Sequence, residues 1–114
     1  MNIVPGLARV DVVEALGQRW PMSVNQATRD GLAVHYGIRP GDLELAGPGQ
    51  GIEARVVVVE PTGAETELLV DVGGQQLTVV IHGRTGAKPD DPVFLIIDAA
   101  KAHVFDAQSG QRLF

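Results

Sequence analysis

The chain has 114 residues, the size of one domain, and carries a net charge of −5 that is scattered, with no like-charge run beyond Asp90-Asp91. That balance excludes a basic stripe of the kind that displaces counterions from nucleic-acid phosphates, and it opposes adsorption on an anionic membrane surface. With no cysteine, disulfides and thiolate metal sites are ruled out, a usage that suits a reducing cytoplasm.

In chain order, Met1-Asn2-Ile3-Val4-Pro5-Gly6 has neither a basic head nor a long apolar stretch and does not read as a signal peptide. Ala8, Val10 and Val12 alternate with Arg9 and Asp11, which predicts a first strand. Leu16-Gly17-Gln18-Arg19 predicts a turn returning into Arg19–Met22, and Ser23–Asp30 a short helix with Ser23 as its cap and Gly31 beyond its end. Leu32, Val34, Tyr36 and Ile38 alternate with Ala33, His35 and Gly37, a second half-buried strand. Gly47-Pro48-Gly49-Gln50-Gly51 is the best linker and divides the chain into strand groups of roughly 1–46 and 51–114 within one domain.

The second half is clearer. Ile52–Glu60 predicts a strand whose Val56–Val59 run suggests burial on both faces, followed by a turn at Glu60-Pro61-Thr62-Gly63. Glu65, Glu67 and Asp71 alternate with Thr66, Leu68, Val70 and Val72. Gly73-Gly74 then predicts a two-residue hairpin, because tight primed turns need positive φ, with Gln75–His82 as the return strand. Val93–Ile97 reads as another buried strand, Asp98 as the cap of one turn through Ala99–Ala102, and Val104-Phe105 as a last strand before a turn at Gln108-Ser109-Gly110. Apolar runs this short are far from the roughly 20 residues a helix needs to cross a bilayer. Many short strands and little helix predict an all-β small barrel with short helical turns.

The chemistry-bearing residues form no catalytic pattern. There is no Gly-rich P-loop with its lysine, and Ser23 and Ser109 lie in turn or cap contexts outside any G-x-S-x-G elbow. His35, His82 and His103 are far apart and show no H-x-H or H-x-x-x-H spacing for a metal. Glu65 and Glu67 share one face of one strand and point the same way, whereas glycosidase carboxylates flank a bond. Aromatics are 4% of residues, with Tyr36 and Phe105 in core phase and Phe94 in an apolar run, too few for a base-stacking platform. Trp20, beside Pro21, is the one candidate for an exposed aromatic anchor; its alternative is an edge residue covering one end of the core. Arg39, just past a predicted strand, has the fork geometry to pair with Glu60 or Glu65 and pin the strand groups together; a solvated Arg39 is the alternative.

Three blocks carry a family resemblance. Gly37-Ile38-Arg39-Pro40-Gly41-Asp42-Leu43 resembles a "GIRPE-H" block at its first four positions and departs at Gly41 and Asp42. Val59-Glu60, Gly63 and Glu65 are similar to a "VE-x-x-G-x-E" block. His103-Val104-Phe105-Asp106, Gly110 and Arg112-Leu113 are similar to a terminal "H-x-F-D…G-x-R-L" block, and Met1–Gly6 to an "MNF-L-P-G" opening. In their order and spacing these resemble the C-terminal TOBE (OB-like) regulatory domain of sugar- and glycerol-3-phosphate-type ABC importer ATP-binding subunits.

The resemblance implies an OB-like (TOBE/MOP-like) fold and a non-catalytic regulatory and dimerisation module. It implies a chain that is either an isolated C-terminal fragment or a stand-alone relative. Implied partners are a second copy, the parent ATPase domain, the importer's membrane subunits and a regulatory protein, at the cytoplasmic face of the cell membrane. ATP and Mg would belong to the parent's ATPase domain, with no cofactor here and neither nucleic acid nor membrane insertion. Arg39, Asp42, Glu60, Glu65, His103 and Trp20 are then structural or interaction candidates. The runner-up is an oxyanion-binding module of the molybdate type, holding its ligand on turn amides; an enzyme of unknown type comes third.

Overall fold

The computed structural model describes residues 1–23 and 30–113; the helix expected over Ser23–Asp30 and the C-terminal Phe114 fall largely or wholly outside them. Among the described residues there are strands and two short 3-10 turns and no α-helix. The strands are β1 (Asn2–Ala8), β2 (Val12–Ala15), β3 (Gln18–Pro21), β4 (Ala33–Ile38), β5 (Leu43–Ala46), β6 (Ile52–Thr62), β7 (Glu65–Val72), β8 (Gln75–His82), β9 (Pro92–Ile97) and β10 (His103–Asp106). They form two sheets, ordered β10-β4-β1-β2-β3 and β5-β9-β6-β7-β8. The all-β, OB-like expectation is met. The chain divides into two compact units, unit 1 being Met1–Arg39 with Ile97–Phe114 and unit 2 being Pro40–Ile96.

In unit 1 the antiparallel ladder sets Val4 opposite Tyr36 and Tyr36 opposite Val104, and sets Ala8 opposite Val13 and Val13 opposite Trp20. Direct partners share a face, so these rows form one apolar side, and all six are fully buried. The other side carries Ile3-Gly37-His103 and Pro5-His35-Phe105. Phe105 therefore lies on the outer face, half-buried, and not in core phase as the alternation suggested.

The first strand differs from expectation. β1 runs through Pro5 and Gly6 and ends at Ala8, while Val10 is 74% exposed in the turn to β2. Arg9 N–H donates to the Val12 carbonyl at 2.8 Å and closes that turn. Pro5 has no N–H to give; β2 reaches only Leu7 and Ala8, so along Pro5 the strand pairs on its β4 side. Gly6 sits where the sheet is closest, since a Cβ there would lie 2.7 Å from the Glu14 carbonyl and from Val13 Cγ1.

In unit 2, β6, β7 and β8 form a meander whose inner rows are Val59-Leu68-Val79 and Val56-Val70-Leu77. The edge strands β5 and β8 approach each other, and the 3-10 turn Pro40–Asp42 also packs on β8, so the sheet curls toward a barrel. The Gly73-Gly74 hairpin forms as expected, with φ values of 56° and 93° and Val72 opposite Gln75. Gly47–Gly51 turns the chain from β5 to β6 inside this unit.

Two apolar runs are less buried than their composition suggests. A bulge shifts the β6 register between Val56 and Val58, so Val56 is buried while Val57 and Val58 are 37% and 45% exposed. The bulge has a partner: Val56 N–H donates to the Asp91 carbonyl at 2.9 Å, and Asp90 N–H donates to the Val56 carbonyl at 2.8 Å. In β9 only Leu95 is buried, and Ile96 is 41% exposed. The turn expected at Glu60–Gly63 is displaced as well. β6 continues to Thr62, which pairs with Glu65, leaving Gly63-Ala64 as the turn. The expected Asp98 cap forms, its carboxylate accepting from Ala100 N–H at 3.0 Å over the 3-10 turn Ala99–Lys101.

Candidate functional site

Trp20 is a core residue, which decides between its two readings in favour of the one that covers an end of the core and against the exposed anchor. It is fully buried, and its indole N–H donates to the Ala15 carbonyl at 2.9 Å. An indole with its one donor satisfied internally has nothing left to pay for exposure, and the residue covers one end of the unit 1 core. Tyr36 packs against it and donates its hydroxyl to the Pro21 carbonyl. Burial pushes the Tyr36 phenol above its ordinary value.

Gly37–Leu43 carries the chain from unit 1 to unit 2. Gly37 is bare because Met1, Ile3 and Phe105 cover it: a Cβ there would lie 2.6 Å from Met1 Sδ. Ile38 and Leu43 are buried, one in each unit. Arg39 is exposed at the end of unit 1, and Asp42 is half-buried in the 3-10 turn. The block is the chain segment that passes from one unit to the other, with a buried apolar residue at each end.

At the Gly63 turn, three carboxylates share the outer face of unit 2. Glu60 is the direct cross-strand partner of Glu67, and Glu65 lies one pair further along, opposite Thr62 and His82. His82 Nδ1 is 3.4 Å from the Glu65 carboxylate, with the imidazole 95% exposed. Arg84 holds the turn: its guanidinium donates to the Gly63 carbonyl at 2.7 Å and the Glu65 carbonyl at 2.8 Å. Opposite, Thr66 is buried and gives its hydroxyl to the Gly83 carbonyl at 2.6 Å. A signal for Arg84 was present in the sequence, since it follows the Gly83 that ends β8, but no motif singled it out.

The terminal block is a clasp. His103 Nδ1 and Arg112 Nη2 are 2.7 Å apart, with the guanidinium as the donor. Asp106 accepts at one carboxylate oxygen from Gln108 and Ser109 N–H at 2.9 and 3.0 Å. Leu113 N–H donates to the Val104 carbonyl and Asp106 N–H to the Gln111 carbonyl, so the tail covers the β10 edge. His103, Asp106 and Arg112 thus hold a hairpin.

A concavity of about 340 Å3 lies at the Leu16-Gly17 turn of unit 1 and is walled by Leu7, Glu14 and Arg19. Its carboxylate is already engaged, with Arg9 Nε 3.4 Å from Glu14. Among the described residues no three metal-ligating side chains converge.

Residues 49–104 match the family model of the TOBE domain. The chain is 45% identical over 80 residues to an uncharacterized ABC transporter ATP-binding protein of Sinorhizobium fredii, covering 70% of this chain and 21% of that one. It is 35% identical over 117 residues to the sn-glycerol-3-phosphate import ATP-binding protein UgpC of Cereibacter sphaeroides, covering 99% and 32%. It is 31% identical over 99 residues to the sulfoquinovosyl glycerol transport ATP-binding protein SmoE of Agrobacterium fabrum, covering 80% and 27%. The chain therefore spans at most about a third of the length of these relatives. It carries a TOBE domain of the type found in the ATP-binding proteins of sugar- and glycerol-3-phosphate-importing ABC transporters.

Proposed function

We propose that this chain is the non-catalytic regulatory and dimerisation module of the ATP-binding subunit of a carbohydrate-type ABC importer. Its partners are a second copy, the ATPase domain of the parent subunit, the importer's membrane subunits and a regulatory protein, at the cytoplasmic face of the membrane. ATP and Mg are bound in the ATPase domain of that parent.

The observation that carries the reading is how the polar side chains of the terminal block and of the Gly63 turn are used. His103, Asp106 and Arg112 close a hairpin, and Arg84 staples a turn on main-chain carbonyls. Side chains committed to the scaffold leave faces for contact instead of groups for proton transfer. The purified chain is expected to hydrolyse no ATP and to self-associate reversibly in sedimentation experiments. Robust hydrolysis would overturn the reading, and saturable heat on titration with molybdate or sulfate would favour the oxyanion-binding alternative.

A further inference from the structure

We propose that two copies of this chain associate through unlike faces, the outer face of the β10-β4-β1-β2-β3 sheet in one copy seating on the outer face of β6-β7-β8 in the other. The inference rests on the dimerisation reading above and names its surfaces.

Each face has an apolar component that its own unit leaves uncovered. On unit 1, Ile3 and Leu7 are each 42% exposed and Met1 57%, beside the half-buried Phe105. On unit 2, Val58 is 45% exposed and pairs with the half-buried Leu69, with Val80 one row along. Contiguous apolar strips on a sheet face are natural contact surfaces.

Charge decides which strip meets which. The unit 1 face bears Arg112 and Arg19; its carboxylate, Glu14, faces Arg19 across the ladder and already lies near Arg9. The unit 2 face bears the opposed pair Glu60 and Glu67 together with Glu65, which faces His82; of its cations, Arg55 stands opposite Asp71 and Arg84 is held on the Gly63 and Glu65 carbonyls at the turn. Two unit 2 faces meeting would stack carboxylate rows on each other, and two unit 1 faces would bring guanidinium groups together. Like-charge juxtaposition of this kind is unfavourable and is how interfaces reject a wrong register. The unlike pairing is the one that puts apolar strip on apolar strip and cation on carboxylate. A contact between unlike patches can be made twice about a two-fold axis, or can propagate.

The test uses charge reversal on each face, read by sedimentation of the whole chain, with near-ultraviolet circular dichroism of Trp20 reporting that each variant is folded. Glu60→Lys with Glu67→Lys and, separately, Arg19→Glu with Arg112→Glu are each expected to weaken self-association by about tenfold or more. In an equal mixture every unlike contact is again between opposite charges, so association should return to near the unmodified level. Arg19→Glu alone, which leaves the His103–Arg112 clasp intact, should weaken association in the same direction. Self-association unchanged in both double variants, or a mixture that stays as weak as its components, would overturn the proposed faces while leaving dimerisation standing. An unmodified chain that remains monomeric at high concentration would overturn both.

Discussion

Trp20 and Tyr36 meet in the core of unit 1 with ring centroids 5.5 Å apart and planes tilted by 58°. Each ring has one polar group, and each group finds a main-chain carbonyl, Ala15 for the indole and Pro21 for the phenol. Both acceptors belong to the β2-β3 hairpin, so the pair ties β4 to that hairpin across the core. Trp20→Ala is expected to cost about 3–5 kcal/mol. Tyr36→Phe, which loses one hydrogen bond and keeps the ring, should cost about 1 kcal/mol. Urea unfolding followed by circular dichroism would measure both, and a Trp20→Ala loss under 1 kcal/mol would contradict the burial assigned here.

The same tyrosine sets an alkaline limit. Burial raises its folded-state value, so the folded chain binds the phenolic proton more tightly than the unfolded chain does. The stabilisation is fully present below the ordinary tyrosine value near 10 and is lost as pH rises above it. Unfolding midpoints should therefore fall above about pH 10, and Tyr36→Phe should flatten that decline. Equal alkaline slopes in the two proteins would refute the assignment to Tyr36.

Much of this architecture was legible where period-2 alternation is uninterrupted. Val34, Tyr36 and Ile38 read as the inner face of β4, and Gly73-Gly74 as its own turn, because a side-chain period and a positive φ are local properties. Local reading failed where a ladder partner decides. Pro5 and Gly6 lie outside the first strand that alternation predicts and join it only through pairing with β4, and the Val56–Val59 run looks doubly buried until the bulge turns Val57 and Val58 outward. For Trp20 the sequence left an exposed anchor and a core-covering residue both open, since nothing in it shows that the Ala15 carbonyl faces its indole. The clasp could have been anticipated, because the turn at Gln108-Ser109-Gly110 brings Arg112 back toward His103.

Glu60 and Glu67 stand directly opposite each other on an exposed face. Like charges at a cross-strand pair are destabilising by about 0.2–1 kcal/mol. Glu67→Gln should therefore raise the unfolding free energy by a few tenths of a kcal/mol to about 1 kcal/mol, and the gain should shrink with added salt. Denaturant unfolding at low and high ionic strength reads both effects. A destabilised Glu67→Gln would mean that the carboxylate holds a favourable contact.

Gly51 sits with φ at 76° directly against Leu95, where a Cβ would run into the main-chain carbonyl. Position and conformation both demand glycine. Gly51→Ala should cost at least the roughly 1–3 kcal/mol of a strained backbone, and the β6-β9 ladder around Ile52 and Leu95 should lose exchange protection first. Protection unchanged there would show that the turn can move aside cheaply.

The C-terminal clasp separates local order from global stability. His103 and Arg112 are partly or fully exposed, so their hydrogen bond contributes little to the folding free energy. It does hold the tail whose main chain covers the β10 edge. Arg112→Ala should therefore leave the unfolding free energy within about 0.5 kcal/mol and speed amide exchange at Leu113 and Asp106. Asp106→Ala removes the acceptor of two turn amides and should cost more, about 1–2 kcal/mol, with Asp106→Asn recovering most of it because the amide oxygen still accepts. If Arg112→Ala left exchange at Leu113 untouched while Asp106→Ala accelerated it, the turn alone would hold the tail and the His103–Arg112 contact would be incidental.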